Sequence, residues 1–291
     1  PSDVKNLLRV FAIQAASGRS ELQLKVLQVL LHLATQLAGS EELCSYLTQT
    51  TLHDFFSLLL DLCGEGALSV STTALATLRQ VLAIVLDPLC APLDQGGDAA
   101  LSRINSREVK GGFSKSVLAF CGDLSLFTRG APGEWCRGVT VPQGAAFDLL
   151  DYTLNGWKAV FLEQPDFRAF VKTALFPALK ALLQDLQEDY ARHVLASGVA
   201  AASARTSRAV RLARTFLLNF SVCEDFLGEV DIVTNLLVHT LSSDYDVEHS
   251  TSRGSHGSSS GDEKDPQVDA PSSMMGGASA LIGGLARFNL P

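Results

Sequence analysis

The chain has 291 residues, 47% of them hydrophobic, with 31 acidic side chains against 23 basic ones and a formal charge of −8. That much apolar material supports a large core and excludes disorder for most of the length. The acidic balance argues against a nucleic-acid partner, whose phosphates demand a basic footprint.

The six cysteines, at 44, 63, 90, 121, 136 and 223, form no CxxC pair. Reduced, buried thiols are expected, not a disulfide frame or a zinc site. No apolar run reaches the roughly 18 residues of a membrane span; even 22–38 is broken by Gln23, Lys25, Gln28, His32 and Gln36. The chain opens at Pro1 with no initiator methionine and stops at Pro291 soon after a new apolar segment, so a piece of a longer protein is expected.

In 20–38, Leu24, Leu27, Leu31 and Ala34 fall at helical spacing, with Val26, Leu30, Leu33 and Leu37 forming a second stripe beside them. Such a helix needs cover on more than one side. Ser20 suits its N-cap and Gly39 its end, and Ser40, Glu41 and Glu42 suit the start of another helix. Thr51 is read as the cap of 52–63, which Gly64 ends. Ser71 or Thr72 is read as opening a helix with Leu75, Leu78, Leu82 and Val85 in register, until Pro88 stops it.

From 90 to 112 the composition shifts to Pro, Gly, Asp and Ser, which predicts an exposed connection. Helix resumes near Phe113, and 130–144 reads as an irregular turn region around Trp135. Phe147, Leu150, Leu154, Trp157 and Phe161 then form a strong stripe, with Trp157 placed in the core. Pro165 suits the first turn of a further helix and Pro177 interrupts or kinks it. The Ala-rich 190–204 fits helix or loop, whereas 205–220 and 227–241 read as helices, the latter through Val230, Val233, Leu237 and Leu241. Segment 242–273 is acidic, rich in Ser and Gly and poor in large apolar side chains, which predicts a disordered insertion.

No motif for chemistry stands out. There is no GxGxxG, P-loop or GxSxG, and the histidines at 32, 53, 193, 239, 249 and 256 lack metal-ligand spacing, so neither cofactor nor metal is expected. Carboxylate neighbours such as Glu41 with Glu42, or Glu188 with Asp189, point to different helix faces.

One feature exceeds background. Arg205, Arg208, Arg211 and Arg214 sweep half of a helix with no acid between 191 and 223, opposite Ala209, Leu212, Ala213 and Phe216. A solvated face is one reading; a contact for an acidic partner or for anionic lipid headgroups is the other. The acids Asp185, Glu188 and Asp189 are the expected internal partners if the arginines pair within the chain.

The series ELQLKVLQVLLHLATQLAG, TLHDFFSLLLDLC and STTALATLRQVLAIVLD resembles the dimerisation and cyclophilin-binding domain of the large Sec7-related proteins of the Golgi and endosomes, in their Mon-two branch. The run from Ala76 to Val81, ATLRQV, carries the most specific likeness. GDLSLFTRGAPGEWCRGV and the stripe through Trp157 resemble the end of that domain. FLGEVDIVTNLLVHTL is similar to the start of the adjoining homology-upstream-of-Sec7 domain.

The resemblance implies a first helical domain over 1–180 with its N-terminus truncated, a variable connection over 181–206, and the start of the second domain over 207–291 with the insertion 242–273. The implied fold is an all-α, armadillo- or HEAT-like right-handed helical solenoid with long disordered loops. The implied role is non-catalytic scaffolding in endosome-to-Golgi and trans-Golgi traffic, peripheral on the cytoplasmic side of those membranes. Self-association, Arf- or Arl-type small GTPases and Dopey-type scaffolds are the implied partners. Two alternatives share the pattern: the N-terminal regulatory region of a Sec7-domain Arf exchange factor, and an unrelated helical-repeat adaptor of karyopherin type.

Overall fold

A computed structural model describes residues 2–39, 46–64, 67–90 and 107–253, and among these the chain is all-α, with no strand. The expected helix start at 40–42, most of the connection 90–112 and Cys44 lie outside the described residues.

Helix α1 is Ser2–Ala15, α2 Ser20–Gly39, α3 Gln49–Cys63 and α4 Leu68–Cys90. Helix α5 is Arg107–Phe127 and α6 Gln143–Gly156; the short α7, Lys158–Glu163, and α8, Pro165–Phe170, follow. A π-turn, Val171–Leu175, leads into α9, Phe176–Ser197, then α10, Val199–Phe220, and α11, Leu227–Arg253.

These helices pack as successive hairpins in two ranks. In one rank α1 lies on α3, α3 on α5, and α5 on α8, the π-turn and α9; in the other α2 lies on α4, α4 on α6, and α6 on α10. Across the ranks α1 meets α2, α3 meets α4, α5 meets α6 and α9 meets α10. The body formed this way runs to residue 247.

The core follows the stripes. On α2 the buried set is Val26, Leu27, Leu30, Ala34 and Leu37, joined by Gln23, whose amide donates to the Ala15 carbonyl at 3.0 Å and so closes the end of α1. Against the expectation from the sequence, helix α4 is by length and composition long and apolar enough to cross a membrane. Its buried residues Val70, Ala74, Thr77, Leu78, Val81, Leu82, Val85, Leu86 and Leu89 cover about half of its circumference, because it packs against α2, α3, α5 and α6 at once.

Several boundaries move. Thr48 caps α3, its hydroxyl accepting from the Thr51 amide, while Thr51 itself is buried in the first turn. Helix α4 opens at Leu68, not at Ser71 or Thr72: Ser71 is inside it and donates to the Cys63 carbonyl at 2.8 Å, tying α4 to the end of α3. Pro88 does not stop α4, which reaches Cys90; the final turn stays because Leu89 is buried and its carbonyl accepts from the Gln164 amide at 2.9 Å. Helix α5 begins at Arg107, ahead of Phe113.

The stripe through Trp157 breaks at Trp157 itself, where φ −124° and ψ 38° separate α6 from α7. Pro165 does open α8. Before Pro177 the helix widens to a π-turn in which the Phe176 amide reaches the Val171 carbonyl, five residues back. The Ala-rich 190–204 is helix on both sides of Gly198, whose φ of 81° only glycine adopts easily. Helix α11 continues to Arg253, so the start of the expected insertion 242–273 is helical; 254–273 lies outside the described residues.

Candidate functional site

The arginine face of α10 sits over α6. Ala209, Leu212, Ala213, Phe216 and Phe220 are buried, which turns Arg205, Arg208, Arg211 and Arg214 toward the edge of the body. Arg205 and Arg208 are half-buried, and Arg211 and Arg214 are exposed.

The four arginines do not act as one patch. Arg208 lies flat against Gly144 at the start of α6, where a Cβ would meet its guanidinium at 3.0–3.2 Å. The Arg211 guanidinium pairs with Asp148 and stands 3.6 Å from Asp151, both on α6. Asp185, one of the acids expected for this role, pairs instead with Arg129 at 3.5 Å. Arg214 has no ion pair or hydrogen bond among the described residues.

Beneath Arg211 a polar ladder joins α6 to α10. Thr215 donates to Asp151 at 2.5 Å, the Asn155 amide reaches both Asp151 and Thr215, and the buried Asn219 donates to the Leu154 carbonyl at 3.0 Å. Thr215 and Asn219 are buried and must be paired, so the ladder sets the register of α10 on α6.

The same rank holds a cleft of about 470 Å³ lined by Arg79, Asp148, Asp151, Tyr152, Asn155 and Arg211. Arg79, from the middle of α4, lies over the Tyr152 ring at 5.2 Å from its centroid. Tyr152 in turn stands edge-on to Trp157, whose indole donates to Asp87 of α4 at 2.8 Å. The aromatic pair therefore bridges α4 and α6 and holds the guanidinium in place.

Arg79 was legible in the sequence only as part of ATLRQV. The available signal was its isolation, since α4 carries no other basic residue over its 23 positions. Arg205 and Arg214 stay outside this cleft, and of the arginine face only Arg211 lines it.

A second organised site lies at the other rank. Asp123 is buried on α5, and its carboxylate accepts the backbone amides of Glu134, Trp135 and Cys136 at 2.7, 3.1 and 2.5 Å. This holds Trp135 over Phe56 and His53; the His53 ring nitrogens face Asp54 and the Trp135 carbonyl, each at 3.1 Å. His53 is thus a satisfied structural histidine.

The thiols of Cys63, Cys121 and Cys136 are buried, and burial pushes each up to about 12; Cys90 is exposed. Among the described residues no three His, Cys, Asp or Glu side chains form a metal-ligand set. No family model, curated protein or solved structure matches the chain.

Proposed function

We propose that this chain is a scaffold of the Mon-two-like kind, an armadillo- or HEAT-like solenoid segment that presents helix edges to partners in endosome-to-Golgi and trans-Golgi traffic. The observation that carries the reading is the two-rank order of hairpins from α1 to α10, in which each pair packs mainly on the next. Helical repeats stack in this way because one hairpin cannot bury its apolar faces alone. Long edges of such a stack serve as docking surfaces.

In this reading an Arf- or Arl-type small GTPase in its GTP state, or an anionic membrane surface, meets the open end of the arginine face. Dopey-type scaffolds and a second copy of the chain are the further partners. Arg214, exposed and with no ion pair among the described residues, contributes most of the attraction, whereas Arg211 is already neutralised by Asp148 and Asp151.

The test is capture of the full chain by a panel of Arf and Arl proteins loaded with a non-hydrolysable GTP analogue or with GDP. Selective capture by at least one GTP-loaded member is expected, weakened by Arg214→Glu and by added salt. Capture by none of them, or equal capture in both nucleotide states, would overturn the GTPase assignment.

A further inference from the structure

A cleft of about 400 Å³ opens between α1, α3 and the turn at 137–139. Three cations line it, Lys5 and Arg9 from α1 and Arg137 from the turn. All three are exposed, so their donors reach solvent, and none has an ion pair among the described residues. The acids of the cleft, Asp54 and Asp61, both stand on the α3 wall, so three cations against two carboxylates leave one positive charge in excess. Asp54 already faces the His53 ring at 3.1 Å. In a chain of net charge −8 such a site is a local reversal of sign.

The cations are ordered before any ligand arrives. Lys5 and Arg9 are four residues apart, hence one turn, about 6 Å, apart on one side of α1, which packs on α3. Arg137 is held from both directions along the chain. Just before it, Asp123 grips the amides of Glu134, Trp135 and Cys136. Just after it, the Thr140 carbonyl lies so close to Gly64, at the end of α3, that a Cβ there would come within 2.6 Å. The Arg137 Nε donates to the Glu134 carbonyl at 3.0 Å, which aligns the guanidinium and leaves its two terminal amino groups for another acceptor. Little freedom is left to lose on binding.

Charge and shape together decide the class of occupant. Three cations on two walls suit two or more carboxylates spaced along a chain better than one small anion. The floor is apolar, with Leu8 and Leu58 buried and Val139 half-buried, and suits one aliphatic side chain between the acids. The concavity admits a linear segment and keeps out a flat protein face. A dianionic phosphate would meet repulsion from Asp54 and Asp61, whereas singly charged carboxylates pair with the other two walls.

We propose that the cleft between α1, α3 and the 137–139 turn is a docking site for an acidic linear segment of a partner protein, its spaced carboxylates on Lys5, Arg9 and Arg137 and an apolar side chain between them on Leu58 and Val139. The site does not rest on the trafficking reading, whose attraction lies in Arg214 of α10.

The experiment uses the full chain and a short fluorescein-labelled Gly/Ser peptide with a central Leu and two Glu on either side. Fluorescence anisotropy should report saturable binding that weakens at least about tenfold, or about 1.4 kcal/mol, when every Glu becomes Gln. Arg9→Ala and Arg137→Ala should each weaken it about fivefold, and the two together about twentyfold. Unchanged circular dichroism and melting establish that the variants fold, and the Gln peptide tests the same contacts on the wild-type chain. Replacing the central Leu by Ser should cost a further few-fold, about one partly buried aliphatic side chain. Arg214→Glu should leave peptide binding unchanged. A phosphoserine peptide should bind no tighter than the Glu peptide, and anionic vesicles should sediment wild type and the double variant alike.

Absent saturable binding by the Glu peptide, equal affinity for the Gln peptide, or indifference to the Arg9→Ala, Arg137→Ala pair would each overturn the proposal. Loss of binding with Arg214→Glu would move the acidic ligand to α10 and overturn it as well. Tighter phosphoserine binding, or vesicle binding lost with the double variant, would replace the acidic segment with a phosphorylated peptide or a lipid surface.

Discussion

The stretch from 128 to 164 and helix α11 make an instructive pair. The first leaves the helix at 128–142, at Trp157 and at Gln164, yet each break is tied to another helix by a side-chain hydrogen bond. Asp123 grips three successive amides, Asp87 takes the Trp157 indole and Leu89 the Gln164 amide. Helix α11 is the longest helix, with 27 residues, but only Val233, Leu237 and Thr240 of its described side chains are buried. Its described tie to α9 is the Gln187 amide, which donates to the Leu236 carbonyl at 2.8 Å and to Thr240 at 3.2 Å. Regularity and anchorage are therefore separate properties: long-range side-chain bonds, not helical content, make a segment stable.

Substitution should expose the contrast. Trp157→Ala removes a buried aromatic together with the bond to Asp87, and should cost about 3–5 kcal/mol in urea unfolding. A loss under about 1 kcal/mol would show that α4 and α6 do not depend on this side chain. Asp123→Ala leaves three amide donors, that of Cys136 buried, without an acceptor and should cost about 3 kcal/mol. Hydrogen exchange at 134–136 should accelerate with it; retained protection there would mean that the loop holds without the carboxylate.

Alkaline pH acts on that stretch and the helices beside it, since Cys136 is buried within it, Cys63 and Cys121 are buried on α3 and α5, and none of the three lies on α11. A thiol raised from 9.0 to about 12 adds stability that is complete below pH 9 and is lost as pH rises toward 12, because only the unfolded state releases its proton in that window. Between pH 9 and 12 the stability of Cys121→Ala should therefore fall less steeply than wild type, by about 1.4 kcal/mol per pH unit. Parallel slopes would place the thiol in a wetter environment.

Helix α11 should respond less. Gln187→Ala should cost about 1 kcal/mol and should raise exchange in 233–240 ahead of global unfolding. At the bottom of the scale, Val238→Ser removes an exposed apolar side chain and should shift stability by less than about 0.5 kcal/mol. A larger shift would reveal cover on that face.

How far the sequence could be read depends on the range of the interaction. Helices α2, α4, α6 and α10 are visible in their apolar spacing because burial of one face imposes a period within a single segment. Boundaries were less legible where a competing cap existed three residues away, as with Thr48 and Thr51, or where tertiary burial of Leu89 carried a helix past Pro88. The arginine face was legible as a pattern, but not its division, since the aspartates that neutralise Arg211 lie about sixty residues earlier in the chain.

The amino-acid order by itself thus determined an all-α chain, the cores of its helices and the concentration of arginine on one of them, because these follow from contacts between near neighbours on one helix. Only the tertiary structure decided that Asp123 would bind a loop, that Arg211 would be neutralised and that Arg79 would lie over Tyr152 with no acid among the described residues beside it. Each of those outcomes rests on two or three helices meeting at a particular register, and no local spacing encodes where a charge on one helix finds its partner on another.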